Sequence, residues 1–107
     1  MWIASQFGFY SIVCKDEDQF HVRARLKGDL QNLLEATGLK EEIHQSDYSD
    51  YKYRLVVGHD AVRKITSALA ETLDYSNFKN KIAETPSQEP KLHAYHCIWE
   101  VMYSEQE

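Results

Sequence analysis

The side chains best suited to hold a metal or act as a nucleophile are five histidines, at 21, 44, 59, 93 and 96, and two cysteines, at 14 and 97. On a helix, His93 and His96 would share a face and present two imidazoles to one ion. Zinc needs three or four ligands, and only Cys97 and Glu100 follow at a matching spacing. His96 and Glu100, four apart, read equally well as a surface pair. The expectation is therefore no metal, no cofactor, and histidines at surface or boundary positions. Cys14 and Cys97 lie in apolar runs, Ile12-Val13-Cys14 and His96-Cys97-Ile98-Trp99, which predicts reduced and largely buried thiols. Two cysteines do not make a disulfide framework. No serine has a Gly-x-Ser-x-Gly setting, and the four glycines, at 8, 28, 38 and 58, fall at turns rather than in a phosphate loop. No catalytic residue emerges.

The basic residues give a sharper pattern. Over residues 20–27 the chain alternates, with Phe20, Val22, Ala24 and Leu26 on one face and His21, Arg23, Arg25 and Lys27 on the other. Over 51–57, Tyr51, Tyr53, Leu55 and Val57 share one face and Lys52 and Arg54 the other. Five of the 12 lysines and arginines thus fall on two short strands of a chain whose net charge is −5. If those strands are neighbours, Arg23, Arg25, Lys52 and Arg54 form a basic sheet face, with His21 beside it and Tyr10 as a candidate aromatic. Arg23 and Arg25 would stand two residue rises, ~6.6 Å, apart. Guanidiniums grip phosphates bidentately, and a face of cations and aromatics suits single-stranded nucleic acid or a phosphorylated small molecule. The plainer alternative is a wet sheet face, polar by default, neutralised by the acidic stretches 16–18 and 41–50 in pairs of little energy.

These residues need elements to hold them. A β-rich run, 7–15, follows a short strand candidate at 2–5. An acidic turn, 16–19, then joins that run to 20–27 as an antiparallel hairpin. Asp29 is the expected N-cap of a helix over 29–37, with Leu30, Leu33 and Leu34 as its buried stripe, and Gly38 as its C′ glycine. Residues 41–46 form a weak strand candidate and 51–57 a strong one. Asp60 is placed to cap a helix carrying Val62, Ile65, Leu69 and Leu73. Phe78 and Ile82 suggest a further short helix. Residues 85–90 hold both prolines and predict an exposed hinge. The last helix, 91–103, has Leu92, Tyr95, Trp99 and Met102 on one face, which predicts that this face packs on the core.

The order ββαββααα points to an α+β fold, an antiparallel sheet of about four strands with helices packed on it, in a single domain over 1–107. With 43% apolar and 27% charged residues the chain is built to fold. Its acidity argues against a duplex-binding protein driven by overall charge and against a polybasic membrane anchor. No run approaches the ~20 apolar residues of a membrane span, and the first residues lack a basic n-region. A cytoplasmic protein is expected.

Several segments carry a resemblance: Trp2-Ile3, Gly8-Phe9-Tyr10-Ser11, Val22-Arg23-Ala24-Arg25, Asp50-Tyr51-Lys52-Tyr53-Arg54, Asp74-Tyr75-Ser76-Asn77-Phe78-Lys79 and Tyr95-His96-Cys97-Ile98-Trp99. Together they resemble a group of short bacterial proteins of unknown function that begin Met-Trp. Lys52 stands where that pattern usually has Arg, which keeps the charge. The resemblance implies a bacterial source and brings no activity. The functional expectation is a non-catalytic interaction or binding module, with another protein or a second copy as partner, since Trp99 and Tyr103 exceed what a small core can bury. The alternatives are a binder of single-stranded nucleic acid or a phosphorylated small molecule at Arg23, Arg25, Lys52 and Arg54, and an enzyme with an unrecognised site.

Overall fold

A computed structural model describes residues 1–107. The fold is α+β, with an antiparallel sheet of five strands and four α-helices. The strands are β1 (Trp2–Ala4), β2 (Phe9–Asp16), β3 (Gln19–Ala24), β4 (His44–Gln45) and β5 (Tyr53–Val57). The helices are α1 (Lys27–Thr37), α2 (His59–Glu71), α3 (Phe78–Ala83) and α4 (Leu92–Ser104), the last preceded by a 3₁₀ turn at Glu89–Lys91. The chain parts into two compact units, Met1–Leu73 and Asp74–Glu107.

In the first unit the sheet order is β1-β2-β3-β5-β4. The 2–5 segment supplies the fifth strand, beyond the four expected. Alternation sends Tyr10, Ile12, Val22, Ala24, Leu55 and Val57 to one face, where they meet Leu30 and Leu33 of α1 and Val62 and Ile65 of α2. This is the core, and the opposite, outer face of the sheet is turned away from α1 and α2. The β2–β3 hairpin forms as expected, with a bulge between Cys14 and Asp16. At its tip Asp18 takes a positive φ of 49°. Its carboxylate accepts the His59 backbone N–H at 2.7 Å. The hairpin thereby satisfies one of the orphan donors at the α2 N-terminus, where Gly58 has no side chain to do so.

Both expected caps are corrected. α1 begins at Lys27 with Leu26 at the N-cap. Asp29 lies buried in its first turn, where the carboxylate accepts the Phe9 N–H at 3.2 Å. Asp60 lies inside α2 and pairs with Arg63 at 2.6 Å instead of capping it. Gly38 does end α1, at φ 71° with its N–H on the Leu34 carbonyl. Tyr10 belongs to the core rather than the basic face, and its hydroxyl donates to the Asp29 carbonyl at 2.7 Å.

In the second unit Asn77 caps α3, its side chain accepting the Asn80 N–H at 2.9 Å. Phe78 packs edge-on against Tyr95 with ring centroids 4.9 Å apart. The proline segment is not simply exposed: Gln88 is fully buried, and the Thr85 carbonyl accepts the N–H groups of Gln88 and Glu89. α4 departs furthest from expectation. Of its apolar residues only Tyr95 is buried, whereas Trp99 is 50% and Met102 63% exposed. Both cysteines are exposed and free, against the expectation of buried thiols.

Candidate functional site

The site is built on the outer face of the sheet. Register places Trp2 against Ser11, Ser11 against Arg23, Arg23 against Arg54 and Arg54 against His44. One cross-strand row therefore runs over all five strands, with neighbours about 4.8 Å apart. Two arginines stand directly opposite each other at its centre, an arrangement that is repulsive unless something offsets it.

The offset comes from dipoles of the chain. Arg23 Nη2 donates to the Ser11 hydroxyl at 2.7 Å. Arg54 Nη1 meets His21 Nδ1 at 3.0 Å, and its Nη2 donates to the Ser49 hydroxyl at 2.9 Å and the Tyr51 carbonyl at 3.3 Å. Arg25 Nη1 donates to the Asp50 carbonyl at 2.6 Å. The guanidinium carbons of Arg23 and Arg25 lie 4.6 and 4.2 Å from the centroid of the Tyr51 ring, within cation–π range. Three arginines thus converge on Ser49, Asp50 and Tyr51, the segment just before β5. No carboxylate oxygen comes within 4.0 Å of any of them; the ion pairs of the chain lie elsewhere.

His21 sits one residue pair along the same face, opposite Val13 and Val56. Burial, and then the positive charge of Arg54, Lys15, Arg23 and His44, hold its imidazole below the ordinary histidine range. Neutral His21 can accept from Arg54; a protonated ring could not.

Of the four residues expected at the site, Arg23, Arg25 and Arg54 come together and Lys52 does not. β5 begins at Tyr53, so Lys52 precedes the strand and escapes its alternation. Its ammonium approaches Asp47 at 3.6 Å. Arg25 likewise lies just beyond β3, so it reaches the cluster through Tyr51 rather than as a strand neighbour of Arg23. Tyr51 is not the core residue that alternation suggested; it is buried at the arginines. Sequence reasoning missed Ser11, Ser49 and Tyr51. Only Ser11 had a usable signal, its place in the β2–β3 hairpin, and that required the register.

A second surface stands out on α4. Ile98, Val101, Met102 and Tyr103 are 49–63% exposed. His96, Trp99 and Tyr103 form a stacked ladder, with centroids 6.0 and 5.1 Å apart, and Lys79 Nζ lies 4.8 Å from the Trp99 ring. Beside the ladder is an open cleft of about 600 Å³ lined in part by Lys79, Glu89, His93 and His96. His96 pairs with Glu100 at 3.2 Å and Cys97 Sγ lies 3.6 Å from His93 Nε2. No group of three or more His, Cys, Asp or Glu side chains is placed to hold a metal ion. No helix is long and apolar enough to cross a membrane.

The chain matches no family model, no curated protein and no solved structure.

Proposed function

We propose that the protein is a non-catalytic binding module of the bacterial cytoplasm whose outer sheet face takes a phosphorylated small molecule. One observation carries this reading: three arginines gather without a single carboxylate in a chain of net charge −5. Structural arginines are ordinarily balanced by acids, and 17 acidic residues were at hand to do it. Here neutral carbonyls and hydroxyls hold the guanidiniums, which orients them while leaving their charge uncancelled. Donors also remain. Each guanidinium has five N–H groups, and Arg23 Nε is buried without a hydrogen-bond partner.

The acidity of the rest of the chain favours a small ligand over a long polyanion, because the attraction is local and the wider field repels. Trp2, 76% exposed, lies in the same cross-strand row two strands from Arg23. It offers a plane on which a base can stack while a phosphate meets Arg23 and Arg54. The bacterial and cytoplasmic part of the proposal rests on the resemblance noted above.

The test is a calorimetric titration at low salt with inorganic phosphate, AMP, ATP and a short single-stranded oligonucleotide. The expected result is saturable binding of the nucleotides, weakened about tenfold or more in Arg25→Ala, since charge-assisted hydrogen bonds contribute about 1.5–3 kcal/mol. Arg25 is exposed and bonds to the protein through one carbonyl, so its loss leaves the fold in place. Binding of the oligonucleotide alone would favour a nucleic-acid ligand instead. Absence of binding by every probe, or full binding by Arg25→Ala, overturns the proposal.

A further inference from the structure

α4 is apolar on more sides than one. Its buried side is marked by Tyr95, and its ladder of His96, Trp99 and Tyr103 carries the Lys79 ammonium. A third stripe has no such company. Ala94, Ile98, Val101 and Glu105 follow one another at spacings of four, three and four, with Cys97 and Met102 on the flanks, and all six are exposed. Residues three and four apart share a helix face, and this alternation of four and three is the seam of paired helices.

The charges say what kind of helix would fit the seam. A helix dipole favours acids at its N-terminus and bases at its C-terminus. α4 has neither: its first turn holds no acid and its last turn no base. The acids Glu100, Glu105 and Glu107 gather in and beyond its C-terminal half, and the histidines 93 and 96 in its N-terminal half. In one copy this works against the helix's own field. A second copy laid antiparallel reverses it, because each acidic end then lies beside the positive N-terminal end of its mate. A parallel copy would instead stack like on like.

We infer that two copies of the chain pair through α4, antiparallel about a two-fold axis between residues 98 and 101. Ile98 of each copy packs on the other's Val101, and Cys97 on its Met102. Glu105 lies over the small Ala94, next to His93. Because the two-fold makes every contact twice, one stripe supplies both halves of the interface. A helix of 13 residues is about 20 Å long, which places the interface at the small end of specific ones. The dimer is accordingly weak and concentration-dependent. This pairing rests on α4 alone and stands or falls independently of the arginine face.

Sedimentation equilibrium of the full chain, from about 5 µM to about 500 µM, reads it directly. The mass should climb from monomer toward dimer across that range. Val101→Glu should remain monomeric at the top of it with an unchanged far-UV spectrum; should that variant unfold, Ile98→Lys, also at an exposed position, replaces it. Glu105→Lys should raise the dissociation constant about fivefold, the scale of two exposed ion pairs lost together. A wild-type chain that stays monomeric throughout, a folded Val101→Glu or Ile98→Lys that pairs as well as wild type, or a Glu105→Lys that pairs more tightly each overturns the inference.

Discussion

On the outer face of the sheet, charged groups are held by the chain's own carbonyls and hydroxyls, whereas on α4 large apolar groups stand in water with few neighbours. The two regions carry opposite costs. Arg23 and Arg54 face each other across neighbouring strands and are kept there by Ser11, Ser49, Tyr51 and His21. Ile98, Val101 and Met102 lie in no such network. A surface that is costly but tightly braced is organised to meet a ligand without rearranging. A surface that is costly and loosely held meets its partner by burying area. The contrast therefore separates a positioned polar site from an adhesive one within a single short chain.

The widest difference should appear in stability. Leu55, fully buried beneath the arginine face, should lose about 2–5 kcal/mol on Leu55→Ala. Trp99→Ala, despite the larger side chain, should cost only about 1 kcal/mol, the worth of its stacking with His96 and Tyr103. Urea unfolding of both variants checks the pair, and comparable losses would mean that α4 is as tightly packed as the sheet.

A smaller effect separates the arginines themselves. Arg54→Ala strips the Ser49 hydroxyl and the Tyr51 carbonyl of their donor and should cost about 1–3 kcal/mol. Arg25→Ala, at the exposed rim, should cost about 0.5 kcal/mol. Equal losses in the same unfolding experiment would show that the bracing does not run through Arg54.

The finest effect is in pH. The folded state holds His21 below its ordinary range, so the unfolded imidazole takes up a proton first as pH falls below about 6.5. More protons on the unfolded state mean that stability falls as pH falls in that window. A phosphate beside His21 favours the protonated ring, so nucleotide affinity should move the other way and rise. His21→Gln should flatten both slopes; retention of either assigns it to His44 or to another group.

Much of this architecture could be read from side-chain periodicity, and the exceptions have identifiable causes. The hairpin, the Leu30–Leu33 stripe and Gly38 were legible because alternation, helical spacing and a left-handed C′ position are local. Arg23 and Arg54 were legible for the same reason, each lying mid-strand. Lys52, Arg25 and Tyr51 were misplaced because strand ends are set by neighbours: β3 stops at Ala24 and β5 starts at Tyr53, and past those points alternation no longer says where a side chain goes. Trp99 failed differently. Periodicity identifies an apolar stripe but not whether anything covers it, and α4 carries three stripes where one is buried. Asp29 and Asp60 have the right chemistry for capping, yet Leu26 and Gly58 hold the cap positions, and for α2 the oxygen arrives from Asp18, 41 residues away.

The sheet tapers toward both margins: its two outermost strands, β1 and β4, have three and two residues, while β2, β3 and β5 between them have eight, six and five. A long flat margin would offer a row of unspent amides to any extended chain and invite open-ended stacking of one sheet on the next. With margins this short such growth has almost no template. The molecule can thus be sticky on a helix without being fibrous, since whatever gathers copies of it is channelled into closed assemblies rather than filaments.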